Sequence, residues 1–258
     1  MKKKNESREQ LNIQLFLLCM LAALLCRRLG KISSLRIICG MLRTMIYVGV
    51  YIGWGISIYK RVIQKSVRNV LIFIAELIIF WFVVRTTKYF FTMDNQIARY
   101  LWYSYYIPML FIPVAVLQAA FFLGKSEEYR LPKWLKGVYI PTAVLVLLVL
   151  SNDLHQLVFS FPVGSAWSDS HYTYGWGYYV VLVWEVVCAL TAFVLMIYKC
   201  RHSQKKKYLP LFGIGAAVLY AVLFISGVAW VQEIGGDITA VLCLFFVGIL
   251  ESCVRCGL

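Results

Sequence analysis

The stretch VLIFIAELIIFWFVVRTTKYFF at 70–91 decides the fold. A helix that crosses a bilayer needs roughly 20 mostly apolar residues. This stretch meets that length, and Glu76 is its one charged residue before Arg85. It has no strand-like alternation of apolar and polar positions, so it reads as a helix. Working outward from it, six further segments have the same character: 36–59, 99–123, 137–157, 177–198, 208–228 and 236–254. A shorter apolar run, LNIQLFLLCMLAALLC, lies at 11–26. Alternating strands of the kind a membrane barrel uses are absent.

Composition agrees with that reading. Of 258 residues, 61% are hydrophobic and only 15% are charged, and mean hydropathy is +0.74. Soluble domains are about 45–50% apolar and about 25% charged, so the apolar surplus here has to face lipid. The net charge of +14 would suggest nucleic acid in a soluble protein; in this one it follows from basic loops. The eight Cys are no secreted disulfide framework, because Cys19, Cys26, Cys39, Cys188 and Cys243 lie inside apolar runs, where thiols pack as small hydrophobes. Cys253 and Cys256 form a lone CxxC, without the second half that a zinc site requires. No tandem repeat, low-complexity tract or linker divides the chain.

The loops set the expected orientation. Segment 60–69 carries Lys60, Arg61, Lys65 and Arg68, and 124–136 carries Lys125, Arg130, Lys133 and Lys136. Segment 199–207 carries Lys199, Arg201, Lys205, Lys206 and Lys207. The alternating segments 92–98, 158–176 and 229–235 contain no Lys or Arg. Basic loops stay in the cytoplasm, so the C-terminus is expected there. Lys2, Lys3 and Lys4 precede the short run at 11–26, which reads as an uncleaved signal anchor. Arg27, Arg28, Lys31 and Arg36 would then lie outside, against the rule. The alternative is that 11–26 lies in the interface.

Ionisable groups within membrane spans are functional candidates, since each costs at least ~2.5–3.5 kcal/mol at the bilayer centre. They gather in the outer half of the expected bundle. Arg85 and Lys88 share a face near the outer end of their helix, and Arg99 opens the next one. The 137–157 segment ends with Asn152, Asp153, His155 and Gln156. Asp237 opens the last helix, and Glu185 lies about 12 Å along its own at 1.5 Å per residue. An outward polar pocket is one reading; structural ion pairs and snorkelling side chains are the other. Lys88, Arg99 and Asp237, nearer the interface, fit the second better. Glu76, half a turn off the Arg85 face, is expected to pair with another helix or to carry a proton. His171, Trp167, Tyr172, Tyr174 and Trp176 read as an aromatic interface belt, with a binding lid as the alternative. Pro108, Pro113 and Pro141 are expected to kink helices. No HExxH, GxSxG, Walker loop or GxGxxG occurs, and three scattered His make no metal site. No catalytic residue, metal or cofactor is therefore expected.

Several stretches carry a resemblance. RTMIYVGVYIGWGISIYKRVI (43–63), WFVVRTTKYF (81–90) and WYSYYIPMLFIPV (102–114) resemble the N-terminal seven-transmembrane region of bacterial histidine kinases. The most telling stretch is VLSNDLHQLVFSF (149–161), where the family usually has Thr-Asn-Asp-Leu-His-Gln and this chain has Ser151 for the Thr. YGWGYY (174–179) and ILESCVRCGL (249–258) fit as well. The resemblance covers about 36–258 and implies a sensor bundle whose last helix leads to a cytoplasmic output; it assigns no binding residue.

The resulting expectation is an all-α bundle of seven transmembrane helices plus a signal-anchor helix. Residues 1–35 form the basic N-terminus and short apolar helix, and 36–258 the sensor domain. Its function is expected to be that of a membrane sensor module of a two-component-type system without its kinase domain. A small transporter or transport accessory subunit is the alternative, though transporters favour internal repeats. Ligand or switch candidates are Arg85, Asn152, Asp153, His155, Glu185 and Asp237. Expected partners are the lipid bilayer, a cytoplasmic histidine kinase or other output domain, and an extracellular or membrane ligand of unassigned chemistry. A second copy of the chain is a further option, and nucleic acid is not expected.

Overall fold

The computed structural model describes residues 2–88, 95–122, 124–125, 128–162, 172–200, 208–229, 231 and 238–255. Its long elements are α1 (Lys2–Leu29), α2 (Arg36–Arg61), α3 (Lys65–Lys88), α4 (Asn95–Tyr103) and α5 (Tyr106–Phe122). There follow α6 (Lys133–Gly137), α7 (Tyr139–Leu150), the single turn α8 (Asn152–His155), and α9 (Trp176–Cys200). The last two are α10 (Tyr208–Ile225) and α11 (Ile238–Arg255). Over its described residues, each of the seven apolar segments read from the sequence falls on one of these helices or, for 99–123 and 137–157, on successive helices broken by a turn.

Among the described residues five spans are long and apolar enough to cross a membrane: Arg36–Arg61, Lys65–Lys88, Gln96–Phe122, Lys133–Leu150 and Trp176–Lys199. Two shorter apolar helices, Phe212–Phe224 and Ala240–Val254, accompany them. The protein is an all-α, polytopic membrane bundle. Its outer faces carry the side chains that lipid requires: Ile38, Met45 and Ile52 of α2 and Val183, Leu190 and Val194 of α9 are exposed.

The centre is the α4–α5 span. Of its most apolar window 72% is buried, against 11% for α2, so α5 is the post around which the others stand. It packs on α3, α7 and α9, while α1 leans on α2 and α10 on α11. One core cluster runs from Tyr51, Leu71 and Ile78 through Val116 and Ala120 to Ala192, Ile249 and Leu250. A few polar bonds cross between helices. The Tyr139 hydroxyl donates to Gln118 Oε1 at 3.1 Å, and Trp184 Nε1 donates to Thr142 Oγ1 at 3.1 Å. The Thr44 and Thr86 hydroxyls pair between α2 and α3. In hydrocarbon such groups need partners inside the protein.

Two sequence expectations change here. The helix expected over 137–157 is α6, α7 and α8, with breaks at Val138 and Ser151. Pro108 and Pro141 stand third in α5 and α7. A proline there lacks only an N–H that has no intrahelical partner, so these two begin helices and Pro113 alone lies inside one.

Candidate functional site

The stretch 149–161 does not continue as helix because its polar residues bond their own backbone. Ser151 Oγ donates to Leu147 O at 2.7 Å, a bond that competes with helix propagation. After the α8 turn, Gln156 adopts φ 49, the left-handed region, and its N–H closes on Asn152 O at 2.7 Å. The chain then reverses into a two-residue strand, β1 (Phe159–Ser160), paired antiparallel with β2 (Thr173–Tyr174).

Asn152 holds that reversal together. It is fully buried. Its Oδ1 accepts from Val158 N at 3.0 Å and Phe159 N at 2.9 Å. Its Nδ2 donates to Phe159 O at 2.9 Å and to the Tyr103 hydroxyl at 3.1 Å. Both acceptor and both donor positions of the amide are thereby used. His155 Nδ1 accepts from Leu157 N at 3.0 Å. The other ring nitrogen, Nε2, then carries the hydrogen and donates to Ser151 Oγ at 3.2 Å.

Glycines complete the turn. A Cβ at Gly175 would meet Leu157 O at 2.1 Å, and one at Gly177 the same oxygen at 3.0 Å. Instead Gly175 N–H donates to Val158 O at 2.9 Å and Gly177 N–H to Leu157 O at 3.0 Å. Phe159 sits in a nest of rings: Trp102 at 4.6 Å, Tyr106 at 5.6 Å, Tyr172 at 5.4 Å and Tyr178 at 6.0 Å between centroids. Three stretches far apart in sequence, 102–106, 151–161 and 172–178, therefore form one polar-aromatic cap over α5.

Among the described residues the cap carries an ion pair. Asp153 Oδ2 meets an Arg99 Nη at 2.7 Å, and its Oδ1 accepts from the Tyr103 hydroxyl at 2.7 Å. The side chains of Arg99 and Asp153 are 25% and 19% exposed, so water screens the pair only in part. Arg99 Nε is buried without a hydrogen-bond partner among the described residues. The pair also lies beside the Phe161 ring, 5.9 Å from the guanidinium carbon.

The sequence candidates separate accordingly. Asn152, Asp153 and His155 belong to this cap, and Arg99, set among the interfacial cations by sequence, is the cation that meets Asp153. Arg85 is half-buried in the last turn of α3 with contacts of its own. Glu185 is half-buried on α9, within coulombic range of Tyr106 and Tyr178. Asp237 lies outside the described residues, as do His171 and Trp167. Glu76, expected to pair with another helix or to carry a proton, is exposed in the middle of α3 and has no hydrogen-bond or ion-pair partner among the described residues. Among the described residues no group of three or more His, Cys, Asp or Glu gathers to hold a metal.

A second polar contact, at the other end of the bundle, escaped the sequence reading. Glu251 of α11 takes a fork of two bonds from Arg61 of α2, at 2.7 and 2.8 Å. Trp54 Nε1 donates to the same carboxylate at 3.3 Å. Nearby, Lys199 Nζ donates to the carbonyls of Ala120 and Phe121 at 2.8 and 2.7 Å. That ammonium caps the C-terminus of α5, where orphan carbonyls and the helix dipole favour a cation. One available signal was Glu251 itself, the one acid in the apolar stretch 238–255.

Comparison with known proteins agrees with this architecture. A family model described as the N-terminal 7TM region of histidine kinase matches residues 37–252. No curated protein and no solved structure matches.

Proposed function

Because the chain belongs to the family of N-terminal 7TM regions of histidine kinases, we propose that it is the membrane sensor of a two-component-type system. In this reading the five long spans and the two shorter helices all cross the bilayer, and residues 1–35 form a separate signal anchor before the sensor domain at 36–258. The end bearing Arg61, Lys125 and Lys199 lies in the cytoplasm by the positive-inside rule, and the polar-aromatic cap lies outside. The partner is a histidine kinase core or another output domain that receives α11 on the cytoplasmic side.

Family membership over 37–252 carries the reading; the geometry supports a route for the signal. A stimulus at the cap acts on Asp153 and Arg99, which tie α8 to α4. The motion passes to α5, which packs on α3 and α9. At the cytoplasmic end α11 is tethered to α2 through Glu251 and Arg61, so a displacement of α2 against α11 re-aims the output helix. Arg85, Glu185 and Asp237 remain ligand or switch candidates at the outer half, and Asn152 and His155 keep the cap in shape. Joining a histidine kinase core after residue 255 tests the route. Asp153→Ala is expected to change kinase output while the fused protein still inserts and folds. Unchanged output for Asp153→Ala and for Arg99→Ala together would remove the cap from the route.

A further inference from the structure

His155 closes the α8 turn with a bond that only its neutral ring can make. Its Nδ1 accepts from Leu157 N at 3.0 Å, two residues on, the reach of an Asx turn. Its Nε2 donates to Ser151 Oγ at 3.2 Å, and that hydroxyl donates to Leu147 O at 2.7 Å. An imidazolium has two N–H donors and no acceptor, whichever way the ring is turned. A proton on Nδ1 therefore sets N–H against N–H at 3.0 Å and takes this acceptor from Leu157. Leu157 matters beyond its own turn. Its carbonyl accepts from Gly177 N at 3.0 Å, at the start of α9, and the carbonyl of Val158 accepts from Gly175 N at 2.9 Å. The Nδ1 bond thus fixes the residue that ties the α8 reversal to α9. The next two residues, Val158 and Phe159, are the ones that Asn152 holds under the aromatic rings.

From this geometry we infer that His155 Nδ1 is a proton-binding site, and that acid on the cap side charges the ring, detaches Leu157 and opens the reversal between α8 and α9. In the sensor reading the proton is then the stimulus; that role rests on the sensor reading, and the opening of the cap does not. Among the described residues the other charged side chains of the cap are Asp153 on α8 and Arg99 on α4, with Glu185 two turns along α9 from Tyr178. Asp153 is held by Arg99 and by the Tyr103 hydroxyl. The phenols of Tyr103, Tyr172, Tyr174 and Tyr178 belong to a class that carries no charge on the acid side. The charge that acid adds at the reversal itself is therefore the one on His155.

The test uses the full chain in a neutral maltoside detergent at about pH 8 and about pH 5, on either side of the ordinary histidine value of about 6.5. The chain has three His, so nitrogen NMR of 15N-histidine resolves each ring, assigned by substituting one at a time. Hydrogen exchange of the peptide 152–161, corrected for the intrinsic effect of pH on amides, reads the reversal. His155 is expected as the Nε2–H form at the higher pH and as imidazolium at the lower. The peptide should exchange about five-fold or more faster in acid, as the loss of one buried bond implies. His155→Asn, whose amide oxygen reaches the same N–H without titrating, should exchange alike at both values, and His155→Ala should be fast at both. If neither variant folds, the double variant His171→Gln, His202→Gln decides: with His155 as its one imidazole, it should keep the wild-type response. A ring still neutral at the lower pH, a charged ring with unchanged exchange, or an acid response that survives His155→Asn overturns the switch. Joining a histidine kinase core after residue 255 separates the two readings. Opening in acid without a change in kinase output keeps the switch and removes the sensor role.

Discussion

Asn152 illustrates how one amide can decide a local fold. Its two oxygen lone pairs hold the backbone N–H groups of Val158 and Phe159, and among the described residues no other acceptor bonds them. Removing the amide strands both donors in a dry cap, at about 1–3 kcal/mol per buried unsatisfied group. Asn152→Ala should therefore destabilise by at least about 2 kcal/mol, read as the melting temperature of the purified chain in detergent. Gly175→Ala should be as severe, since its methyl would lie 2.1 Å from Leu157 O and the contact is with backbone. Gln156 behaves differently. Its left-handed φ of 49 costs a non-glycine residue roughly 1–2 kcal/mol. Gln156→Gly should be near neutral, whereas Gln156→Val should lower the melting point clearly; equal melting of the two variants would remove the strain argument. The stretch 151–156 was legible as special because so many polar side chains end an apolar run. Asn152's role was not, since three of its four bonds go to backbone groups six and seven residues on, a spacing without helical or strand periodicity, and the fourth to the distant Tyr103 hydroxyl.

At the scale of elements, depth was readable and azimuth was not. Counting residues along each helix puts Arg85, Arg99 and Asp153 near one end of the bundle. It does not say which cation turns toward the acid. The structure turns Arg99 of α4 to Asp153. A double-mutant cycle on Arg99 and Asp153 should show a coupling of about 0.5–3 kcal/mol by thermal melting, and Tyr103→Phe should weaken it. Zero coupling would mean that water and neighbouring groups already satisfy both charges. Phe159, ringed by aromatic partners, should cost about 3–5 kcal/mol when cut to alanine, while Tyr172→Phe keeps its ring and should change little. Breaks between helices were equally hidden. Pro108 and Pro141 look like kinks in a sequence, yet a proline at the third helical position starts a helix as readily as a proline further in bends one.

For the whole molecule the sequence was most informative, because bilayer thickness imposes a length on every span and the basic loops recur on alternate connections. Reporters fused after residues 65, 130 and 204 should behave as cytoplasmic, and one near 168 as external; an internal 168 reporter would invert the map. What alternation of charge cannot supply is the partner of each charge. Arg61 and Glu251 are 190 positions apart, and only the closure of the bundle, with α11 returning beside α2, brings them together. Glu76 gives the complementary lesson. Its position in mid-span suggested a pair with another helix or a bound proton; the helix turns it away from the core, and no pair forms among the described residues.

The Arg61–Glu251 fork also sets a scale for how sharply such a bundle could respond. Arg61 is 39% exposed and Glu251 19%, and partly hydrated pairs are worth about 0.2–1 kcal/mol. An energy of that size changes a two-state ratio by no more than about five-fold. In the sensor reading, losing this fork would shift the resting balance between output states by a few-fold and would not lock either one. Full switching between 1:99 and 99:1 needs about 5.5 kcal/mol of differential binding, so most of it has to come from the stimulus. The fork then acts as a trim on the threshold: Glu251→Gln should move the stimulus level at half-maximal output while leaving the maximum in place.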